Sequence, residues 1–178
     1  MNTQATSKII FLDVDGVLAS HRVDRARGDS APFEGELDPV AAGLLQGLCE
    51  ETGAQIVMIT TQASGSTQEA VARAREGVSQ SLNACNLTDY LHDDMWIDDP
   101  HDKAASIKTW CEAHGVDDDS YIILDDKPGK FSATQRTRVV SPDMNNGMLL
   151  QHWARAQELL GGELSRDEAE LARAGRGK

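Results

Sequence analysis

A chain of 178 residues that is 40% hydrophobic and 26% charged has an ordinary globular composition and the length of one domain with a sizeable core. Its net charge of −12 argues against a broad nucleic-acid surface, because such surfaces neutralise phosphates with Lys and Arg. No run approaches the roughly 20 apolar residues of a membrane span, MNTQATSK lacks a signal-peptide core, and Cys49, Cys85 and Cys111 form no CxxC pair, so a cytoplasmic protein with reduced thiols is expected.

In chain order, the first element is a strand over 9–12, IIFL, which ends in Asp13-Val14-Asp15-Gly16. Residues 20–37 read as a loop. LDPVAAGLLQGLCEETG is a helix capped by Asp38, with Pro39 at its first position and Gly53 closing it. A second strand covers 56–59 and runs into Thr60 and Thr61, and a helix follows over about 66–83. The stretch 92–102, HDDMWIDDPHD, holds His92 and His101 among five aspartates. It matches no metal-ligand spacing and reads as a solvated acidic loop before a helix N-terminus. DKAASIKTWCEAHG is that helix, with Lys103 at its start, Ile107, Trp110 and Cys111 on one face, and Gly115 at its end. YIIL at 121–124 is a third strand, followed by Asp125 and Asp126. A weaker strand over 138–140 and a helix over 147–160 complete the pattern. His114 and His152 read as helix-surface or cap residues.

The strands are apolar throughout rather than alternating, which fits parallel strands covered on both faces. Strand–helix alternation of this kind predicts a three-layer, Rossmann-like α/β fold with a parallel central sheet over residues 1–160. The polar stretch 161–178 follows as a tail without assigned chemistry.

Ligands of such sheets gather at the carboxyl ends of the strands. There the chain places Asp13, Asp15, Thr60, Thr61, Asp125 and Asp126, with Lys103 on the intervening helix. Residues i and i+2 of an extended segment face the same way, so Asp13 and Asp15 are expected to address one ligand together. Two acid pairs from two strands form an all-oxygen cluster suited to Mg²⁺, which offsets the repulsion between a carboxylate and a phosphate. Asp13 can then attack phosphorus, Asp15 can serve as acid and base, Thr60 can hydrogen-bond the phosphoryl group, and Lys103 can balance charge. Neither GxxxxGK[ST] nor GxGxxG occurs, which argues against a nucleotide-binding loop.

FLDVDGVL, IVMITT, Lys103 and YIILDD resemble, in order, the four motifs of the haloacid dehalogenase (HAD) superfamily over about residues 8–160. KAASIKTWCEAHG followed by YIILDD is also similar to HAD domains of nucleic-acid end-repair proteins. The resemblance implies a Mg²⁺-dependent phosphatase with Asp13 as nucleophile and Asp15 as general acid/base. It further implies Thr60 and Lys103 as phosphate partners, with Thr61 able to share the role of Thr60. The metal ligands implied are Asp13, Asp15 through its main-chain carbonyl, and Asp125 and Asp126, either of which could be the direct one. TTQASGS at 60–66 departs from the usual continuation of the second motif.

Neither insertion, 20–37 nor 62–101, is long enough for a full cap domain, so the site is expected to be open to a protruding phosphate. His21, Arg22, Arg25 and Arg27, with Lys127, Lys130, Arg136 and Arg138, are expected to give it a basic mouth, with Arg22 and Lys127 as substrate contacts. A nucleotide or nucleic-acid end is the substrate class this suggests. Two other readings are a receiver domain, whose motifs follow a different order, and a HAD-like binding or regulatory module, which loss of Asp13 or Asp15 would mark.

Overall fold

The computed structural model describes residues 8–27 and 37–161. Most of the expected tail, from residue 162 on, lies outside these residues. Five strands form one sheet: β1 (Ile9–Leu12), β2 (Gln55–Met58), β3 (Leu91–Trp96), β4 (Tyr121–Leu124) and β5 (Val139–Val140). All pairings are parallel, in the order β3-β2-β1-β4-β5. The helices are α1 (His21–Arg27), α2 (Pro39–Thr52), α3 (Gln68–Ala84), α4 (Lys103–His114), α5 (Ala133–Arg136) and α6 (Leu150–Leu159).

Burial explains the uniformly apolar strands. Ile10, Leu12, Ile56, Met58, Ile122 and Leu124 face a core built with residues of α2, α3 and α6. Their neighbours Ile9, Phe11, Val57, Tyr121 and Ile123 face a second core with Ile107, Trp110 and Cys111 of α4. Trp110 and Tyr121 both meet the Phe11 ring edge-on, at centroid distances of 5.5 Å. The expected three layers and parallel sheet are present. Asp38, Pro39 and Gly53 take the expected positions at the ends of α2, with Gly53 in the left-handed region at φ 69°.

Three segments differ from expectation. Residues 91–96, which overlap the expected acidic loop over 92–102, form the edge strand β3. Asp93 and Asp94 are exposed there, and a charged edge strand lacks the apolar signature of an inner one. Part of the stretch expected to be a loop, residues 21–27, is helical. The last helix begins at Leu150 rather than near 147, because Gly147 (φ 63°) closes a turn on Asp143 and the Met148 N–H is held by the Val17 carbonyl. His152 caps that helix, accepting from the Leu149 N–H at 3.0 Å. Among the described residues no helix is long and apolar enough to cross a membrane.

Candidate active site

Strand register builds the site. Leu12 pairs with Leu124, so the residues that follow them, Asp13 and Asp125, emerge side by side at the carboxyl edge. The chain leaves β1 for β2 and β3 on one side and leaves β4 for β5 on the other, which makes the carboxyl edge between β1 and β4 the topological switch point. Asp13 is fixed by two donors, the Val14 N–H on Oδ1 at 2.9 Å and Lys103 Nζ on Oδ2 at 2.6 Å. Lys103 Nζ also donates to Asp125 Oδ2 at 2.5 Å, and the Lys127 N–H donates to Asp125 Oδ1 at 2.8 Å. The lysine side chain is only 1% exposed. A cation at a helix N-terminus is disfavoured by the helix dipole, and here two carboxylates compensate it. Burial pushes the Asp13 carboxyl up to about 6, against the pull of the Lys103 ammonium.

Asp126 completes the cluster. Carboxylate oxygens of Asp13, Asp125 and Asp126 lie within 4.8 Å of one another. Asp126 Oδ1 is buried without a hydrogen-bond donor, and the nearest cation, Lys127 Nζ, stands 3.7 Å away. Gly16, at φ 75°, makes room for this side chain: a Cβ there would lie 2.5 Å from Asp126 Cβ. Three carboxylates thus converge where one buried ammonium bonds two of them, and one oxygen of the third has no hydrogen-bond donor. That donor set and charge fit a hard divalent cation.

A family model described as "HAD domain in Swiss Army Knife RNA repair proteins" matches residues 9–153. The chain belongs to that family. A search of curated proteins found no match. Membership supports a phosphatase-like role for this HAD domain.

One residue expected at the centre is placed differently by the HAD domain. Asp15 does not join the carboxylate cluster with its side chain. Strand β1 ends at Leu12, and the chain then coils so that the Val14 carbonyl accepts from the N–H groups of Val17, Leu18 and Ala19. The i, i+2 rule of extended chain no longer applies, and the Asp15 carboxylate turns to Gln62, whose Nε2 donates to Oδ1 at 2.7 Å. Thr60 is buried, and its hydroxyl oxygen accepts from the Gln62 N–H at 3.2 Å, leaving its O–H to donate elsewhere. Thr61 begins a short 3₁₀ turn over Thr61–Ala63.

The basic mouth is smaller than its sequence suggests. Arg22 is committed to Asp38, donating from Nε at 2.8 Å and Nη2 at 2.5 Å to Oδ2, so it braces the N-terminus of α2. Arg25 donates to the Asn145 carbonyl. Arg138 donates to the carbonyls of Tyr121, Asp119 and Leu159, at the amino end of β4 and thus across the sheet from the site. The side chain of Arg27 lies outside the described residues. Lys127 and Lys130, exposed and directly after the acidic pair, remain beside the site. The contact that sequence reading missed is Gln62 with Asp15, which are 47 positions apart and share no local pattern.

Proposed function

We propose that this HAD domain is a Mg²⁺-dependent phosphomonoester hydrolase that works through an aspartyl-phosphate on Asp13. The observation that carries the reading is the close group of Asp13, Asp125 and Asp126, the first two buried and bonded to Lys103, with Asp126 Oδ1 left without a hydrogen-bond donor. Asp13, Asp125 and Asp126 would hold the metal, with Asp126 as the acid whose lone pairs are open, and the family resemblance adds the main-chain carbonyl of Asp15. Bound there, Mg²⁺ supplies positive charge that offsets the repulsion between the attacking carboxylate and the phosphate.

The protein's own groups do the rest. Lys103 keeps Asp13 ionised and offsets charge on the phosphoryl group. Asp13 attacks phosphorus as the bond to the leaving oxygen breaks, and Asp15 gives that oxygen a proton. Asp15 then takes a proton from the water that attacks phosphorus, which frees inorganic phosphate and restores Asp13. The Thr60 hydroxyl donates to a phosphoryl oxygen, and Thr61 can share that task from the start of its turn.

The substrate class we infer is a nucleotide or a nucleic-acid end, with the RNA-repair setting in the family's description and the two exposed lysines, Lys127 and Lys130, as support. The test is phosphate release with and without Mg²⁺ by wild type and Asp13→Asn. Substrates span p-nitrophenyl phosphate, nucleotides, sugar phosphates and oligonucleotides with 3′- or 5′-phosphates. Metal-dependent turnover that disappears in Asp13→Asn is expected, with oligonucleotide ends or nucleotides preferred. A folded, Mg²⁺-binding protein inactive on every substrate would favour a binding module instead.

A further inference from the structure

We infer that Gln62 is the residue that positions Asp15 for protonating the leaving group, an inference that rests on the phosphatase reading. Gln62 stands where the second motif departs from its usual continuation, and its side chain meets the first. Its Nε2 donates to Asp15 Oδ1 at 2.7 Å. Among the described residues this is the hydrogen bond that the Asp15 carboxylate makes. With Oδ1 engaged by a donor, Oδ2 is the oxygen left to carry a proton. The main chain of Gln62 is itself fixed, because its N–H donates to Thr60 Oγ1 at 3.2 Å. One residue therefore couples the hydroxyl of the second motif to the second acid of the first.

Gln62 also lines a groove of about 790 Å³ with Val14, Leu37, Pro39, Val78 and Ser81. Gln62 is thus the residue shared by the groove and the hydrogen bond to Asp15, and the organic part of a phosphomonoester lying in the groove would contact the side chain that holds the acid. Without Gln62 no donor among the described residues holds the rotamer of this carboxylate, and orientation is a large part of what a general acid contributes.

The leaving group separates this role from a structural one. p-Nitrophenolate departs without a proton, whereas a ribose alkoxide needs one, and kcat/KM reports the step in which it departs. Gln62→Met, which keeps the length and removes the donor, is compared with wild type on p-nitrophenyl phosphate and 3′-AMP, with circular dichroism to check folding. Gln62→Ala is the second variant, with the same expectation. kcat/KM for 3′-AMP is expected to fall roughly tenfold to a hundredfold while that for p-nitrophenyl phosphate stays within about twofold. An equal loss on both substrates, or no loss on either, overturns the positioning role and leaves the phosphatase reading standing. A wild type that cleaves only p-nitrophenyl phosphate overturns it too, since no proton is then delivered. Inactivity of the wild type on both, with or without Mg²⁺, removes the phosphatase reading and this inference together.

Discussion

Lys103 is buried with two carboxylates as partners, and its removal leaves both of them short of a donor. Breaking a buried ion pair from one side is costly because the remaining charge is uncompensated. Lys103→Met is therefore expected to destabilise the metal-free protein by about 3–5 kcal/mol at neutral pH, with part of that recovered on adding Mg²⁺. Urea unfolding with EDTA and with Mg²⁺ measures both. A variant as stable as wild type would show that the ammonium does not hold the acids together. Asp13 adds a pH dependence. Burial raises its carboxyl from the ordinary 3.8 to about 6, so between these values the folded chain binds more protons than the unfolded one. Its contribution to stability is therefore best below 3.8, falls as pH rises through this window, and is least favourable above about 6. With EDTA present, the stability of wild type relative to Asp13→Asn should improve on going from pH 7.5 to pH 5. An unchanged difference would place its titration elsewhere.

The loop after β1 shows how an element is shaped for the site. Gly16 is held at positive φ, and a Cβ there would overlap Asp126 at 2.5 Å. Gly16→Ala is expected to cost at least about 1–2 kcal/mol and to weaken Mg²⁺ binding, read by isothermal titration, because Asp126 must move. Gly43, exposed within α2 with nothing near its missing Cβ, is the contrast: Gly43→Ala should stabilise by roughly 0.5–1 kcal/mol with binding unchanged. If both substitutions behave alike, the close approach of Gly16 to Asp126 is not what matters. The same scale explains what could be read from the sequence. β1, β2 and β4 are buried on both faces and announce themselves as apolar runs ending in polar residues. Their carboxyl ends delivered Asp13, Thr60 and Asp125, because register in a parallel sheet brings strand ends together whatever lies between them. β3 was hidden because LHDDMW carries exposed acids on an open edge, and α1 because HRVDRAR has only Val23 and Ala26 among polar residues and so shows no apolar period. The turn of Asp15 towards Gln62 was invisible for another reason. It depends on where β1 stops and on a contact across 47 residues, and neither leaves a local signal.

At the scale of the molecule, a net charge of −12 repels a polyanion, while the proposed substrate is a phosphorylated nucleic-acid end. The two are compatible only if the contact is confined to the terminus. Arg22, Arg25 and Arg138 are spent on Asp38 and on main-chain carbonyls, and the exposed Lys127 and Lys130 are the described cations that directly follow the acidic pair. Two phosphate contacts on a single strand give a slope of log affinity against log salt of about −1.4, a loss of roughly sevenfold between 50 and 200 mM. A broad binding surface with six or more contacts would give a slope steeper than about −4. Binding of a single-stranded oligonucleotide 3′-phosphate to Asp13→Asn, by fluorescence anisotropy across this range, is expected to show the shallow slope. Lys127→Ala with Lys130→Ala should flatten it further, and should lower kcat/KM for the oligonucleotide about tenfold while sparing p-nitrophenyl phosphate. A steep slope, or a slope indifferent to the two lysines, would move the recognition surface away from the edge of the sheet. With the shallow slope, the body of the nucleic acid projects away from an acidic domain that holds only its phosphorylated end.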